Sequence, residues 1–251
     1  MIELEPRGAV TIMRMVRGKG NAINLGLLEA SEEALRTIEN SPARAAVITG
    51  QGSVYGAGVD LQELLAGGAE YLRQFIPRMT SAFERLATFP KPLVAAVNGH
   101  AIAGGAINML ACDQRLLARG KARIGLTEVL VGVQFPSWAL EIARFATPPQ
   151  HFPTLICTGR TYLPEEALAR GLVDELVEPE RLIDRAVEVA EEMGAILSET
   201  FAATKMAVRR PMIEAARRGT AEQDKIIDYW CSPEVMGQVK AYMERAIKRQ
   251  R

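Results

Sequence analysis

Two glycine-rich segments of this sequence could present backbone N–H groups to a negatively charged oxygen. Residues 55–61 (YGAGVDL) follow an apolar run at residues 44–49, and residues 101–106 (AIAGGA) follow a second run at residues 93–97. Small residues allow close approach of the backbone, and the helix that follows each segment offers free N–H groups and a dipole that favour an anion. Two such amides would form an oxyanion hole. Glycine turns before helices are common, so spacing alone also allows an ordinary turn.

Other catalytic and cofactor motifs are missing from the sequence. In the segment GQGSVYG, Gly56 comes one place too late for the G-x-G-x-x-G motif that binds dinucleotides. The pair Gly18 and Lys19 lacks the upstream glycine and the following Ser or Thr of a P-loop. There is no G-x-S-x-G nucleophile motif, and no nucleophile stands beside His100, so we expect His100 to be structural.

The composition excludes several classes of function. The 251 residues carry 30 basic and 30 acidic side chains, so we expect no nucleic-acid partner. Three scattered cysteines and two histidines form neither a disulfide framework nor a zinc motif, which favours a metal-free protein in a reducing, cytoplasmic compartment. The N-terminus (MIELE) is acidic where a signal peptide is basic, and glycines and polar residues interrupt the most apolar stretch, so we expect no membrane insertion.

The apolar pattern predicts the elements that position these segments. Alternation over residues 2–15 predicts a β-hairpin, and short apolar runs predict buried strands at residues 44–49, 93–97 and 114–117. Alternation of such strands with helices is typical of an α/β core with a largely parallel sheet. Helical spacing predicts helices at residues 27–38, 61–65, 71–86, 164–171, 181–193, 201–208, 211–218 and 232–247, so the C-terminal third is predominantly helical.

Four sequence blocks together resemble the crotonase superfamily, which contains enoyl-CoA hydratases and isomerases. The blocks occur in the family's order across the middle half of the chain, and a fainter match lies at Asn21 and Ala22. Each block alone is unspecific, but their combination is specific for the family. The blocks are residues 47–61 (VITGQGSVYGAGVDL), residues 91–105 (KPLVAAVNGHAIAGG) with 111–113 (ACD), residues 122–128 (ARIGLTE), and residues 158–160 (TGR) with 165–173 (EEALARGLV).

The resemblance implies an α/β fold of the crotonase (ClpP-like) type, in which ββα turns wind into a spiral core before a helical C-terminal region. It places the core and an acyl-CoA site in residues 1–190 and a helical trimerisation region in residues 191–251. Such proteins usually form homotrimers or dimers of trimers. They bind acyl-CoA thioesters and need no cofactor beyond the coenzyme A of the substrate.

The resemblance also implies individual site residues. Matched by motif, the two oxyanion-hole donors are the backbone N–H groups of Val59 and Gly104. Lys19 and Lys205 are candidates for holding the CoA phosphates, and solvated surface lysines are the alternative interpretation. The complete set of residues expected to bind acyl-CoA is Ala57, Val59, Asp60, Leu61, Gln62, Gly104, Lys19 and Ala22.

The number of catalytic carboxylates separates the activities of the family. Its hydratases use two glutamates, and their positions correspond to Ile107 and Glu128 in this chain. Hydration needs one group to activate water and another to deliver a proton, whereas a single base can move a proton between two carbons. The resemblance therefore favours an isomerase that converts 3-enoyl-CoA into 2-enoyl-CoA with Glu128 as base. The alternatives are a 2-enoyl-CoA hydratase with altered acid–base groups and a catalytically silent acyl-CoA-binding subunit.

Apolar neighbours predict the surroundings of this glutamate. They favour a partly buried Glu128 with a raised pKa over a solvated surface acid. Phe135 and Trp138 either line an acyl tunnel or pack in the core. Residues 71–83 form either a mobile wall over the acyl chain or an ordinary amphipathic surface helix.

Overall fold

A computed structural model describes residues 1–248 of the chain. Within that range the strands are β1 (Ile2–Arg7), β2 (Val10–Met15), β3 (Ala45–Gly50), β4 (Val54–Gly56), β5 (Leu93–Val97), β6 (His100–Ile102), β7 (Gln114–Ala118), β8 (Ile124–Gly125), β9 (Thr161–Tyr162) and β10 (Glu175–Val177). The helices are α1 (Leu25–Asn40), α2 (Leu61–Thr88), α3 (Gly104–Leu110), α4 (Glu128–Val131), α5 (Ser137–Ala146), α6 (Phe152–Thr158), α7 (Pro164–Ala169), α8 (Leu182–Gly194), α9 (Ser198–Thr220), α10 (Gln223–Trp230) and α11 (Pro233–Lys248).

The larger sheet confirms the predicted hairpin and the largely parallel core. Its strand order is β1-β2-β3-β5-β7-β10, with β1 and β2 antiparallel and every other neighbouring pair parallel. Alternate strand residues face opposite sides, so Ala45 and Val47 pack towards α8 while Ala46 and Ile48 pack into the main core. Because both faces are covered, these strands read as continuous apolar runs.

A second sheet, with strand order β4-β6-β8-β9, lies beside the first. It gives the chain three successive β–β–α units, namely β3-β4-α2, β5-β6-α3 and β7-β8-α4, which is the spiral architecture of the crotonase fold. The apolar pattern alone predicted none of these short strands. The smaller sheet matters for function because each of its first three strands leads directly towards a helix that borders the site described below.

The helical C-terminal region is confirmed, with differences in its boundaries. The single helix α9 replaces the two predicted at residues 201–208 and 211–218, and it continues through Pro211. A proline breaks one helical hydrogen bond, but Arg209 before it and Met212 after it are both buried, and Arg209 donates to the Ala87 and Ala111 carbonyls, so α9 packs on the core on both sides of the proline. Helix α10 and strand β10 were not predicted. Residues 249–251 of the expected trimerisation region lie outside the described part.

Helix α2 changes direction at Gly68, whose φ of 56° and ψ of −145° are not helical. The predicted helices at 61–65 and 71–86 are therefore the two arms of one kinked element. Among the described residues, no helix is both long enough and apolar enough to cross a bilayer.

Candidate active site

A cavity of about 80 Å³ lies between α2, α3, α4 and α5, where the C-terminal helices fold back over the core. Its wall is mainly apolar and includes Leu61 and Phe83 from α2 and Ile107 from α3. Trp230 of α10 and Tyr242 of α11 close another side. An apolar wall excludes water, which strengthens electrostatic interactions inside the cavity.

Both glycine-rich segments reach this cavity, and they touch each other there. Val59 and Gly104 line it, and a Cβ built on Gly58 would lie only 3.4 Å from the Gly104 nitrogen. Ile23 holds the first segment, because its N–H donates to the Gly58 carbonyl (2.7 Å) and its carbonyl accepts from Asp60 N–H (2.9 Å). Within residues 1–248, neither Val59 N–H nor Gly104 N–H donates a hydrogen bond. Both amides are thus free to hold a negative oxygen.

The turn before α3 needs small residues because two backbones cross there. Ala103 adopts φ 52° and ψ −127°, a strained backbone for a residue with a side chain, and its N–H donates to the Gly125 carbonyl (2.8 Å). Two residues later, a Cβ on Gly105 would lie 2.1 Å from the Gly56 carbonyl oxygen. Glycine at 105 therefore lets the first turn of α3 lie directly against the first segment.

Glu128 is the buried acid that the apolar neighbours predicted. It begins α4, lines the cavity and is only 8% exposed, and its Oε2 has no hydrogen-bond partner among the described residues. Burial raises the pKa of Glu128 from 4.5 to about 8, and backbone hydrogen bonds at Glu128 and Thr127 offset this only in part. A carboxyl with such a pKa can both take and return a proton near neutral pH.

The described cavity wall carries an apolar residue at the position where a second acid could stand. Ile107, one turn into α3, is fully buried and lines the cavity at the position where the hydratases of the resembled family carry a glutamate. Among the described residues that line the cavity, Glu128 is the one carboxylic acid. The arrangement supplies two amide donors and one proton-transfer group.

Residues 5–249 match the sequence model of the family described as enoyl-CoA hydratase/isomerase. The chain belongs to this family. A Thermus thermophilus relative named putative enoyl-CoA hydratase is 36% identical over 177 residues, which cover 69% of each chain. Mouse enoyl-CoA delta isomerase 1, mitochondrial, is 28% identical over 213 residues, covering 84% of this chain and 74% of the mouse protein. The crystal structure of human mitochondrial delta3-delta2-enoyl-CoA isomerase matches with a TM-score of 0.91 at 26% identity, covering 100% and 99% of the two chains.

The fold brings together most of the site residues that the enoyl-CoA hydratase/isomerase motifs predicted. Ala57, Val59, Leu61, Gly104 and Glu128 all line the one cavity. Their chemical roles stay predictions.

The remaining predicted binding residues lie beside the cavity. Asp60 caps α2 by accepting from Gln62 N–H and Glu63 N–H (both 3.1 Å), and Gln62 is exposed. The Ala22 carbonyl accepts from Arg17 (2.9 Å), whose guanidinium also binds Asp60 Oδ2 (2.8 Å). Arg17 thus ties the turn before α1 to the start of α2. Lys19 is exposed in that turn and stays a candidate for a CoA phosphate.

The structure decides between the two interpretations of Phe135 and Trp138 in favour of packing against the core, and it corrects the expectation for Lys205. Trp138 is 1% exposed in the core and Phe135 borders a separate surface cleft, so neither lines the cavity. Pro136 and Ala139 of the same segment line it instead. Lys205 is neither a surface lysine nor a free cation, because its Nζ is buried against Asp113 Oδ2 at 2.7 Å. Burial lowers the pKa of Lys205 to about 8.

Residues from α2, α10 and α11 complete the cavity wall. Met79 and Phe83 line it, so the segment 71–83 is a wall of the site and not merely a surface helix. Trp230 and Tyr242 were missed by the sequence analysis. A Trp in an amphipathic helix signals burial, but no local pattern indicates which part of the fold it will contact.

Substitution of Gly58 by Ala should disturb the pair of amides. Gly58 has φ 84°, and a Cβ there would lie 2.8 Å from the Ala103 Cβ, so the turn carrying Gly104 must move. We expect kcat for the enoyl-CoA reaction to fall by about 10- to 100-fold. Gly52→Ala is the matched control, because φ is also positive (67°) but nothing lies within 4 Å. Equal losses in both variants would attribute the effect to backbone strain alone.

The raised pKa of Glu128 also predicts how stability depends on pH. Between pH 4.5 and about 8 the folded protein keeps a proton that the unfolded chain has lost, so the free energy of unfolding decreases as pH rises through this interval. Glu128→Gln does not titrate, so its stability relative to wild type should rise by about 3 to 5 kcal/mol across this range. Urea unfolding at pH 5 and pH 8 measures the difference, and a constant difference would contradict the assignment.

Proposed function

We propose that this chain is an enoyl-CoA isomerase that shifts the double bond of a 3-enoyl-CoA to the 2-position. The observation that carries the proposal is the wall of the cavity, which offers one buried carboxylic acid beside two free backbone amides. Ile107 stands where a second acid would be needed to activate water. The family contains both activities, and relatives named hydratase are at least as similar as relatives named isomerase.

The proposed reaction uses Glu128 twice. Its carboxylate removes a proton from carbon 2 of the acyl chain, and the electron pair moves onto the thioester oxygen. The N–H groups of Val59 and Gly104 hold the resulting dienolate oxygen. The protonated Glu128 then returns the proton to carbon 4, the electrons flow back from the oxygen, and the double bond lies between carbons 2 and 3. No water enters and no atom is gained or lost.

The proposal predicts the pH dependence of the reaction. The free enzyme must hold Glu128 as carboxylate, and burial raises its pKa to about 8. We therefore expect kcat/KM for isomerisation to increase about tenfold per pH unit below pH 8 and to level off above it. A profile already flat between pH 5 and pH 8 would contradict Glu128 as the base.

One comparison tests the proposed function against its alternatives. Isomerisation of a 3-enoyl-CoA and hydration of crotonyl-CoA are measured on the same purified sample. Isomerisation faster than hydration is the expected result. Faster hydration would favour the hydratase, which the 36% identity to a protein named putative enoyl-CoA hydratase supports. Neither activity, with acyl-CoA still bound, would favour the silent subunit.

We also propose that the protein assembles as a homotrimer or a dimer of trimers. The support is the family membership, and sedimentation velocity measures the assembled mass.

A further inference from the structure

The small volume of the cavity limits what it can hold. An apolar protein cavity of about 150 Å³ takes benzene, with its six carbon atoms. The cavity beside Glu128 measures about 80 Å³ and therefore seats about three or four carbon atoms. The same space borders Val59 and Gly104, so it has to contain the reacting carbons as well as the chain beyond them.

Trp230 forms a fixed part of the wall. Its side chain is 3% exposed, and its Nε1 donates to the Gln134 carbonyl at 3.0 Å. The Glu128 carbonyl accepts from Gly132 N–H (3.0 Å) and Val133 N–H (3.1 Å) in the same loop. The indole is thus tied to the loop that follows the helix carrying Glu128, and it does not swing away without breaking this partly buried hydrogen bond.

Helix α11 packs over the same loop and supports this wall. Gln238 Nε2 donates to the Leu130 carbonyl at 3.4 Å, and a Cβ on Gly132 would lie 2.6 Å from Gln238 Cγ. Tyr242 lies one turn further along α11 and lines the cavity. Since α10 and α11 both contact α2, the wall is anchored on two sides.

We infer that Trp230 limits the substrate to acyl chains of about four or five carbons, namely the carbonyl carbon at the two amides and the three or four carbons that the cavity seats, which makes short-chain acyl-CoA the substrate class. This inference rests on the proposed function, because it assumes that the thioester oxygen lies at Val59 N–H and Gly104 N–H. Trp230 is a specificity-determining residue and takes no part in proton transfer.

Binding of unreactive saturated acyl-CoAs tests the limit on the wild-type protein. Butyryl-, hexanoyl-, decanoyl- and dodecanoyl-CoA are titrated by calorimetry. In an unrestricted tunnel each added CH₂ tightens binding by about fourfold. We expect the dissociation constant to be at least about tenfold larger for dodecanoyl-CoA than for butyryl-CoA. Equal or tighter binding of dodecanoyl-CoA would overturn the inference.

Two variants and a control assign the limit to Trp230. Trp230→Ala and the milder Trp230→Leu should tighten dodecanoyl-CoA binding about tenfold or more while changing butyryl-CoA binding less than about threefold. Trp230→Phe loses the bond to Gln134 but keeps an aromatic ring, and it should retain the wild-type preference. If Trp230→Ala does not fold, Trp230→Leu and the wild-type series decide. A wild-type preference in Trp230→Leu overturns the assignment.

The binding series tests the chain-length limit and the activity assay tests the proposed function, so either one can be refuted without the other. A chain-length limit without isomerisation would refute the proposed function and leave the inference standing. Isomerisation of 3-dodecenoyl-CoA as fast as that of 3-pentenoyl-CoA would refute the inference and leave the proposed function standing. No binding of any acyl-CoA would overturn both.

Discussion

We expect Glu128→Gln to lower kcat for isomerisation of a 3-enoyl-CoA by about 10³-fold or more, while acyl-CoA binding changes less than about threefold. Gln has nearly the shape of protonated Glu but exchanges no proton. Because burial raises the pKa of Glu128 to about 8, the wild-type site is already largely neutral at pH 7, so the variant preserves the polarity that a ligand meets. The expected loss is therefore in kcat and not in affinity, which stopped-flow kinetics and calorimetry separate.

Two further variants separate chemistry from folding. Glu128→Asp keeps a carboxyl group but shortens its reach, so we expect activity between those of Gln and wild type. Glu141→Gln removes an acid from α5 that pairs with Arg144 (3.2 Å) and does not line the cavity, and it should leave kcat unchanged. Activity of Glu128→Gln within tenfold of wild type would eliminate Glu128 as the base and reopen the choice among hydratase, isomerase and silent subunit.

The sequence predicted the long buried strands because their burial is visible in the sequence itself. β3 and β5 are continuous apolar runs, which only a strand covered on both faces tolerates. β8 and β9 contain two residues each, too few for any periodicity to appear. Such strands form because the neighbouring chain offers hydrogen bonds at the right place, which is a property of the fold and not of the segment.

The residues of the candidate site were also predictable from the sequence only in part. Glycines after a buried strand indicated the two segments that meet at the cavity, and the resemblance to the family then singled out Val59 and Gly104 within them. The resemblance likewise singled out Glu128 as the site acid, and its apolar neighbours predicted that it is buried. Trp230 and Tyr242 were not predictable, since they reach the site only when the C-terminal helices fold back over α2 and α4.

Lys205 shows why the burial and the partners of a charged side chain are hard to predict from the sequence. A lysine in a helix is normally solvated, and nothing near it in the sequence indicates otherwise. Its partner Asp113 is 92 residues away, at the end of the segment that follows α3. Only the packing of α9 on the core brings the two together, so the pair is a tertiary feature that a local pattern does not contain.

Asp113→Asn should lower the free energy of unfolding by about 3 to 5 kcal/mol. Asp113 Oδ2 accepts from Lys205 Nζ and Oδ1 accepts from Arg209, both at 2.7 Å, and the three side chains are at most 10% exposed. Removing the negative charge leaves Arg209 as a buried cation without a counter-ion and takes away the interaction that keeps the buried Lys205 protonated. Arg209 cannot withdraw to solvent, because it also donates to the Ala87 and Ala111 carbonyls (2.8 and 2.9 Å). Urea unfolding monitored by circular dichroism measures the loss.

An exposed ion pair of the same helix provides the matched control. Arg217 of α9 binds Glu84 of α2 at 2.9 Å, with 61% and 34% of the two side chains exposed. Arg217→Gln should therefore cost less than about 1 kcal/mol, because solvent already screens that pair. Equal losses in the two variants would mean that burial contributes nothing at Asp113. A large loss in Asp113→Asn alone would show that the C-terminal helices are held on the core by this charge cluster, since it joins α9 to the segment that follows α3.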